Sequence, residues 1–349
     1  MVNAKLPGTV VVTGAAGVLG ARLVQRLLDE GCRVHSVDLR DIPAEPGLRH
    51  HIGDVRDPRV VADAMTGADA VVHCAAALPS YPADQIRSII VGGAENVLGT
   101  AAAAGLARAV HISSTSVYGL PKTVPTPESH PREPVDTYGA AKAEAEECAE
   151  RLRAQGLCLT ILRPKTFVGT GRMGLFAMLF EWASEGRHFP VLGRGDVRIQ
   201  MLGLDDLVTA VVTALVAPRE VADDTYNIAA ERFGTIREDF QAVLDAAGHG
   251  KHVVPIPARP AVAVLGLLER WKLSPVYGRL LHKLLDDSFV STGKAARRLG
   301  FVPRLSNSEA LLEAFTWWRS GRVHAPAKQG VTSREPWRQG ALKLAKVFF

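Results

Sequence analysis

The chain has 349 residues, enough for one large or two modest domains with a sizeable core. Hydrophobic residues at 47% and charged residues at 22% exclude wholesale disorder, collagen-like repeats and small disulfide scaffolds. The formal net charge is +5, but residues 316–349 set seven basic residues against Glu335 alone, a local +6 that leaves the rest near −1; the basicity belongs to a tail, and no nucleic-acid motif accompanies it, so no nucleic-acid partner is expected.

From the N-terminus, short β-branched runs alternate with amphipathic helical stretches: a strand at 9–13, a helix at 18–30, a strand at 33–38, a helix at 60–65 and a strand at 70–74. This alternation predicts a parallel sheet with helical crossovers. Gly31, Gly67 and Gly105 fall at helix-to-strand junctions, where a residue that accepts positive φ closes a helix. Further strands are expected at 109–113 and 160–163. Residues 120–134 hold five prolines and predict an irregular surface segment before a helix that begins near Tyr138. After Pro164 the alternation stops, and residues 204–215 and 224–229 return to it. The expected architecture is α/β: a doubly wound parallel sheet over 1–168 and 203–229, a smaller, discontinuous C-terminal substrate domain over 169–202 and 230–327, and a basic amphipathic tail over 328–349.

Residues 13–20 read TGAAGVLG, which sets Gly14, Gly17 and Gly20 after an apolar strand and at the opening of a helix. Glycines permit a tight turn and close backbone approach, while the helix start at Ala16, Val18 and Leu19 offers N–H groups and a positive dipole end to a pyrophosphate. Asp38 ends the second strand, 24 residues past Gly14, where a carboxylate accepts from both adenosine ribose hydroxyls. Together these predict a dinucleotide site. Asp38 repels a 2′-phosphate and so favours NAD over NADP, a preference that Arg40 would soften.

Tyr138 and Lys142 form YGAAK. On a helix this spacing puts both side chains on one face, where the ammonium can sit near the phenol and lower its pKa. A tyrosine normally titrates near ~10, and a general acid or base works best with a pKa near the working pH. Upstream, residues 111–119 read HISSTSVYG, a strand running into a serine-rich turn, with Ser114 24 residues before Tyr138.

At this point the sequence resembles the extended short-chain dehydrogenase/reductase superfamily, in its NAD-dependent epimerase/dehydratase family. The matching segments are TGAAGVLG, Asp38, GDV at 53–55, HCAA at 73–76, SSTSVYG, YGAAK, the RP of Arg163 and Pro164, GLDDLVTA at 203–210, YNIA at 226–229 and KAARRLGFVP at 294–303. They span all but about the last twenty residues. The resemblance implies a Rossmann-type fold with NAD as cofactor. It also implies Tyr138 as acid/base for a substrate hydroxyl, Lys142 on the nicotinamide ribose and as the group that tunes Tyr138, and Ser114 on the same substrate oxygen. Asp54 and Val55 would meet the adenine, and Cys74, Ala75, Ala76, Ser113 and Pro164 would complete the cofactor site. Cys74 reads as a small buried hydrophobe there and not as a nucleophile. Two departures bear on the reaction: Ile90 replaces the family's Asn in IIVGGAEN at 89–96, and Thr115 and Ser116 stand where dehydratases carry an acidic pair, which disfavours elimination of water.

Sugar nucleotides are the commonest substrates of this family, and their diphosphate meets basic residues for which Arg172, Arg194 and Arg198 are candidates. Thr166 replaces the family's substrate-contacting Asn, and Thr115 lies beside Ser114 in the same turn. The expected function is NAD-dependent epimerisation or oxidation at a secondary hydroxyl of a nucleotide sugar. The alternative is a net dehydrogenase or reductase of a hydrophobic alcohol or ketone. It is favoured by the long apolar stretch at 253–285, which resembles the substrate-lid region of 3β-hydroxysteroid dehydrogenase and dihydroflavonol reductase relatives. In the tail, Trp337, Ala341, Leu344, Ala345 and Phe348 share one helical face, with Lys343 and Lys346 away from it; that pattern suits a membrane surface, a partner groove or docking on the chain itself. Relatives often form homodimers through a four-helix interface, to which the helix at 140–152 would contribute. Cys32, Cys74, Cys148 and Cys158 lack CxxC spacing, so neither a metal site nor a disulfide framework is expected. With no apolar run of ~18 residues and no signal-peptide pattern at its start, the chain is expected to be cytoplasmic.

Overall fold

The computed structural model describes residues 5–172, 176–258, 260 and 285–321. The expected apolar lid, over most of its length, and the amphipathic face of the tail lie outside these residues. In chain order the strands are β1 (Thr9–Thr13), β2 (Arg33–Asp38), β3 (Leu48–Ile52), β4 (Ala70–His73), β5 (Arg108–Ile112), β6 (Leu159–Pro164), β7 (Phe167–Val168), β8 (Phe189–Leu192), β9 (Leu202–Gly203), β10 (Thr225–Ile228) and β11 (Val253–Ile256).

Seven of them form one parallel sheet in the order β10-β6-β5-β4-β1-β2-β3. β1, β4 and β6 are buried along their whole length, as strands covered on both faces must be, and their Val, Ile and Leu side chains suit that position. The chain winds outward from β1 to β3, then returns to lay β4 on the other side of β1 and continues to β10. This reversal opens a crevice at the carboxyl ends of β1 and β4, where doubly wound sheets hold ligands.

The crossovers follow from local signals. Helix α1 (Val18–Asp29) buries Leu19, Leu23 and Leu27 along one face and hands over at Gly31, whose φ is +82°. Helix α2 (Pro58–Met65) starts with proline in its first turn and with the Asp57 carboxylate accepting from the Arg59 N–H, and α3 (Ala83–Arg87) and α4 (Gly93–Ala103) lead from β4 to β5. The strands and helices foreseen before Pro164 are present with ends shifted by at most three residues. β3, reading LRHHI, was not foreseen.

A second apolar core lies apart from the sheet. Phe180 and Trp182 from one helix (Phe176–Ser184), Phe240 from another (Ile236–Ala247) and Phe315 from a third (Asn307–Arg319) pack with Phe189 of the two-stranded β8–β11 pair. The last two helices each open with a capping box, Thr235 with Glu238 and Ser306 with Glu309. Among the described residues no helix is long and apolar enough to cross a membrane.

Candidate active site

The turn after β1 has little room for side chains. Gly14 has φ +67°, and a Cβ there would lie 2.8 Å from the Ala75 backbone; at Gly20 it would lie 2.2 Å from the Gly14 carbonyl oxygen. Helix α1 can therefore begin directly against the strand end, and no side chain caps that beginning. At the end of β2, Asp38 Oδ2 accepts from the Ala16 N–H at 2.9 Å and Oδ1 from the Arg40 N–H at 3.0 Å. The remaining lone pairs of this carboxylate are available to ribose hydroxyls. Arg40 folds back on the turn, its Nη2 donating to the Ala16 carbonyl at 2.6 Å. A glycine cradle that a Cβ would fill, an uncapped helix start with its positive dipole end and a carboxylate one strand over fit a dinucleotide.

Farther along the same edge, Arg56 grips Asp54 through Nε at 2.9 Å, and this bond is the main reason the Asp54 carboxyl is held below its ordinary range. Val55 is buried and its carbonyl accepts from Asn96 Nδ2. Leu39 and Ile52, 67% and 60% exposed, stand at the ends of β2 and β3 beside Asp38 and Asp54. Sequence reasoning missed both, although each is a large apolar residue at a strand end within two positions of a carboxylate.

The catalytic candidates meet at the ends of β5 and α5 (Thr137–Ala154). Ser114 caps a single 3₁₀ turn, its Oγ accepting from the Ser116 N–H at 3.1 Å. Asp136 caps α5 by accepting from the Gly139 N–H at 2.7 Å. A Cβ on Gly139 would lie 2.7 Å from the Ser116 carbonyl oxygen, so this glycine lets the helix start close to the serine turn. Tyr138 thereby comes within hydrogen-bonding reach of the Ser114 hydroxyl. Burial pushes the Tyr138 phenol up to about 12; the Arg172 charge and the Ser114 hydrogen bond pull it down, while Asp136 adds to the rise. At neutral pH the phenol keeps its proton.

Lys142 lies one turn on, buried, with Nζ donating to the Ile112 carbonyl at 2.8 Å. Lys142 is turned to the end of β5, its charge acts on His73 and His111, and the cation that acts on Tyr138 is Arg172. Burial brings Lys142 down to about 8, with Cys74 and Glu146 opposing. The folded chain thus releases this proton at about 8 and the unfolded chain at its ordinary 10.5. The cost of burying the charge is complete at neutral pH and fades as pH rises through that window. A Lys142→Met chain is therefore expected to be more stable than the parent by about 2 kcal/mol at pH 7, after allowing for the lost hydrogen bond, with the gap closing by about pH 10.5. Urea unfolding of both chains across this range checks it.

Sequence reasoning also missed the floor of the site. His73 and His111 are register partners on β4 and β5, stacked at 5.5 Å and 24°. His73 Nδ1 meets Thr13 Oγ1 at 2.8 Å, while His73 Nε2 and both nitrogens of His111 are buried without a partner among the described residues. Burial, then the Lys142 charge, brings His73 down to about 3 and His111 well below its ordinary value, so both rings are neutral. Burial likewise pushes the Cys74 thiol up to about 12, in keeping with a hydrophobe and not a nucleophile. Ser113 is buried, Ala75 half-buried and Ala76 exposed at the mouth of the crevice.

Of the substrate candidates, Thr115 Oγ1 reaches the carbonyl of buried Pro164 at 3.5 Å, beside Ser114. Arg172 is half-buried, its guanidinium 4.0 Å from the centre of the Phe167 ring. Thr166 is exposed and its carbonyl accepts from the Leu202 N–H. Arg198 is exposed and rests on a different aromatic pair, Phe233 and Phe289. Ser114, Thr115 and Tyr138 thus lie together, while the Arg198 backbone carbonyl accepts from the N–H of Ser288, whose Oγ takes a hydrogen bond from Lys165.

A doubly wound parallel sheet, a glycine cradle at its switch point and a Ser–Tyr–Lys group at the next strand ends define a Rossmann-type dinucleotide enzyme. The chain belongs to the NAD dependent epimerase/dehydratase family, whose model matches residues 10–229, and its cofactor is NAD. It is 34% identical to the uncharacterized protein y4nG of Sinorhizobium fredii, over 96% of this chain and 85% of that one. It is 29% identical to a 3 beta-hydroxysteroid dehydrogenase/Delta 5→4-isomerase of Mycobacterium tuberculosis, over 90% and 91%. Among solved structures it is similar in fold to a UDP-glucose 4-epimerase of Thermotoga maritima, with a TM-score of 0.73 and 22% identity over 90% and 99% of the two chains.

Proposed function

We propose that the chain carries out NAD-dependent hydride transfer at a secondary hydroxyl, with a nucleotide sugar as substrate and epimerisation as the outcome. The observation that carries this reading is the Ser114–Tyr138 pair of hydroxyls at the mouth of the crevice, one helical turn from buried Lys142. When bound, NAD supplies the acceptor for the carbinol hydride. Ser114 Oγ orients the substrate oxygen and Tyr138 Oη exchanges its proton. Lys142, with two ammonium hydrogens left after its bond to Ile112, holds the nicotinamide ribose. Because the phenol is held protonated, the proton-donating direction, ketone to alcohol, is favoured at neutral pH, and oxidation speeds up as pH rises. Thr115 and Ser116 supply no carboxylate beside this group, which supports epimerisation or oxidation over loss of water.

A second reading, net oxidation or reduction of an apolar alcohol or ketone, is supported by the apolar stretch at 253–285 and by the steroid named for the mycobacterial relative. Mass spectrometry of the small molecules released when freshly purified protein is denatured separates the two. Retained NAD together with a nucleotide sugar supports the epimerase cycle. An empty site, with NADH formed from apolar secondary alcohols and none from nucleotide sugars, supports the second reading. A chain that neither retains nor binds NAD overturns both.

A further inference from the structure

Arg40 is tied down at its backbone as well as at its guanidinium. Its N–H donates to Asp38 Oδ1 at 3.0 Å and its Nη2 to the Ala16 carbonyl at 2.6 Å, while its own carbonyl accepts from His50 Nε2 at 3.0 Å. His50 is the register partner of Ser36 on β2, so the two side chains share a sheet face, and His50 Nδ1 lies 2.7 Å from the Ser36 hydroxyl. A carbonyl can only accept, so the proton sits on Nε2, and in the neutral ring the Ser36 hydroxyl donates to Nδ1. Asp41 Oδ1, 4.0 Å from Nε2, is beyond hydrogen-bonding reach. Ser36 is buried, and the imidazole is therefore a rigid strut from the interior of β2 to the residues that leave it. Residues 39–47 form no regular element, so side-chain bonds of this kind set the course of the chain there.

We infer that His50 is a positioning residue for cofactor choice: by fixing the Arg40 carbonyl it aims the Arg40 side chain back at the phosphate turn and away from the place of a ribose 2′-phosphate. Asp38 by itself disfavours that phosphate, and an arginine close by is the group that accommodates it. Arg40 stands two residues from Asp38 with 44% of its side chain exposed, near enough and open enough to turn outward once its backbone is released. Held as it is, its guanidinium serves the turn that both coenzymes need and offers nothing to the group that distinguishes them. Among the described residues His50 bonds to neither the glycine turn nor Asp38, so it acts through Arg40.

The test compares two amides at position 50. An Asn amide ends near the place of the imidazole Nδ1 and a Gln amide near that of Nε2, so His50→Asn keeps the Ser36 contact and loses the Arg40 carbonyl, whereas His50→Gln keeps a donor for that carbonyl. Fluorescence titrations of the full chain with NADH and with NADPH give the ratio of the two affinities. In His50→Asn this ratio is expected to move toward NADPH by about three- to tenfold, the worth of one hydrogen bond. His50→Gln is expected to keep the parent ratio, and in an Arg40→Met background His50→Asn is expected to leave the ratio unchanged. A purely structural role for His50 would weaken both coenzymes alike, and an unmoved ratio in His50→Asn overturns the inference. Equal shifts in the Asn and Gln variants, or a shift that survives Arg40→Met, overturn it as well. The parent chain supplies a check that needs no variant: long-range proton–nitrogen NMR spectra at about pH 9, where imidazole is neutral, are expected to show the Nε2–H tautomer of His50, and the Nδ1–H tautomer would sink the strut.

Discussion

Replacing Tyr138 by Phe is expected to lower turnover by about 10²- to 10⁴-fold while leaving NAD affinity within about twofold. The substitution removes one oxygen, the phenolic Oη on the Ser114 side, and keeps the ring that packs against the sheet-side core. The dinucleotide cradle, built from the turn after β1 and from Asp38, lies on other elements and is untouched. Steady-state rates and a fluorescence titration with NADH measure the two quantities. Undiminished turnover would move the proton exchange elsewhere and defeat the mechanism.

Replacing Glu146 by Gln is expected to cost about 3–5 kcal/mol of stability. Glu146 is 0% exposed and Arg163 4%, and they join α5 to β6 through two bonds of 2.8 and 2.5 Å. Arg163 Nη1 continues to the Tyr118 hydroxyl, which donates to Asn227 on β10. Gln at 146 leaves Arg163 buried with its charge unbalanced. A double variant, Glu146→Leu with Arg163→Met, is expected to recover most of the loss, because two apolar side chains remove the unpaired charge together. Urea unfolding of the parent, the single and the double variant decides it; a Gln variant as stable as the parent would show that water or the Glu128 carbonyl, 3.2 Å from Arg163 Nη1, answers the guanidinium instead. Glu146 is two turns past Tyr138 and one past Lys142, so the ion pair also sets where those two side chains stand.

Much of the site was legible because its signals are local. The glycine turn, the Asp at the end of β2 and YGAAK are each read within a few residues, and the β1, β4 and β6 runs are apolar enough to declare themselves. β3 was not, because an edge strand covered on one face needs no apolar run, and LRHHI has none. The stack of His73 on His111 depends on β4 and β5 becoming neighbours, which neither HCAA nor HISS states alone. The same holds for the Lys142 ammonium: helical spacing puts it on the Tyr138 face, and the Ile112 carbonyl at the end of β5 takes its hydrogen bond. Periodicity shows which side chains share a face and not which carbonyl captures an ammonium.

Asp38 has a second duty that limits how cofactor choice can be altered. Its carboxylate anchors the phosphate turn through the Ala16 N–H as well as facing the ribose position. Exchanging it for Ala or Gly to admit a 2′-phosphate would loosen the loop that both cofactors need. An NADP-using version of this chain has to keep an acceptor for Ala16, as a Ser or Asn at 38 would, and free Arg40 from the Ala16 carbonyl so that its charge turns outward.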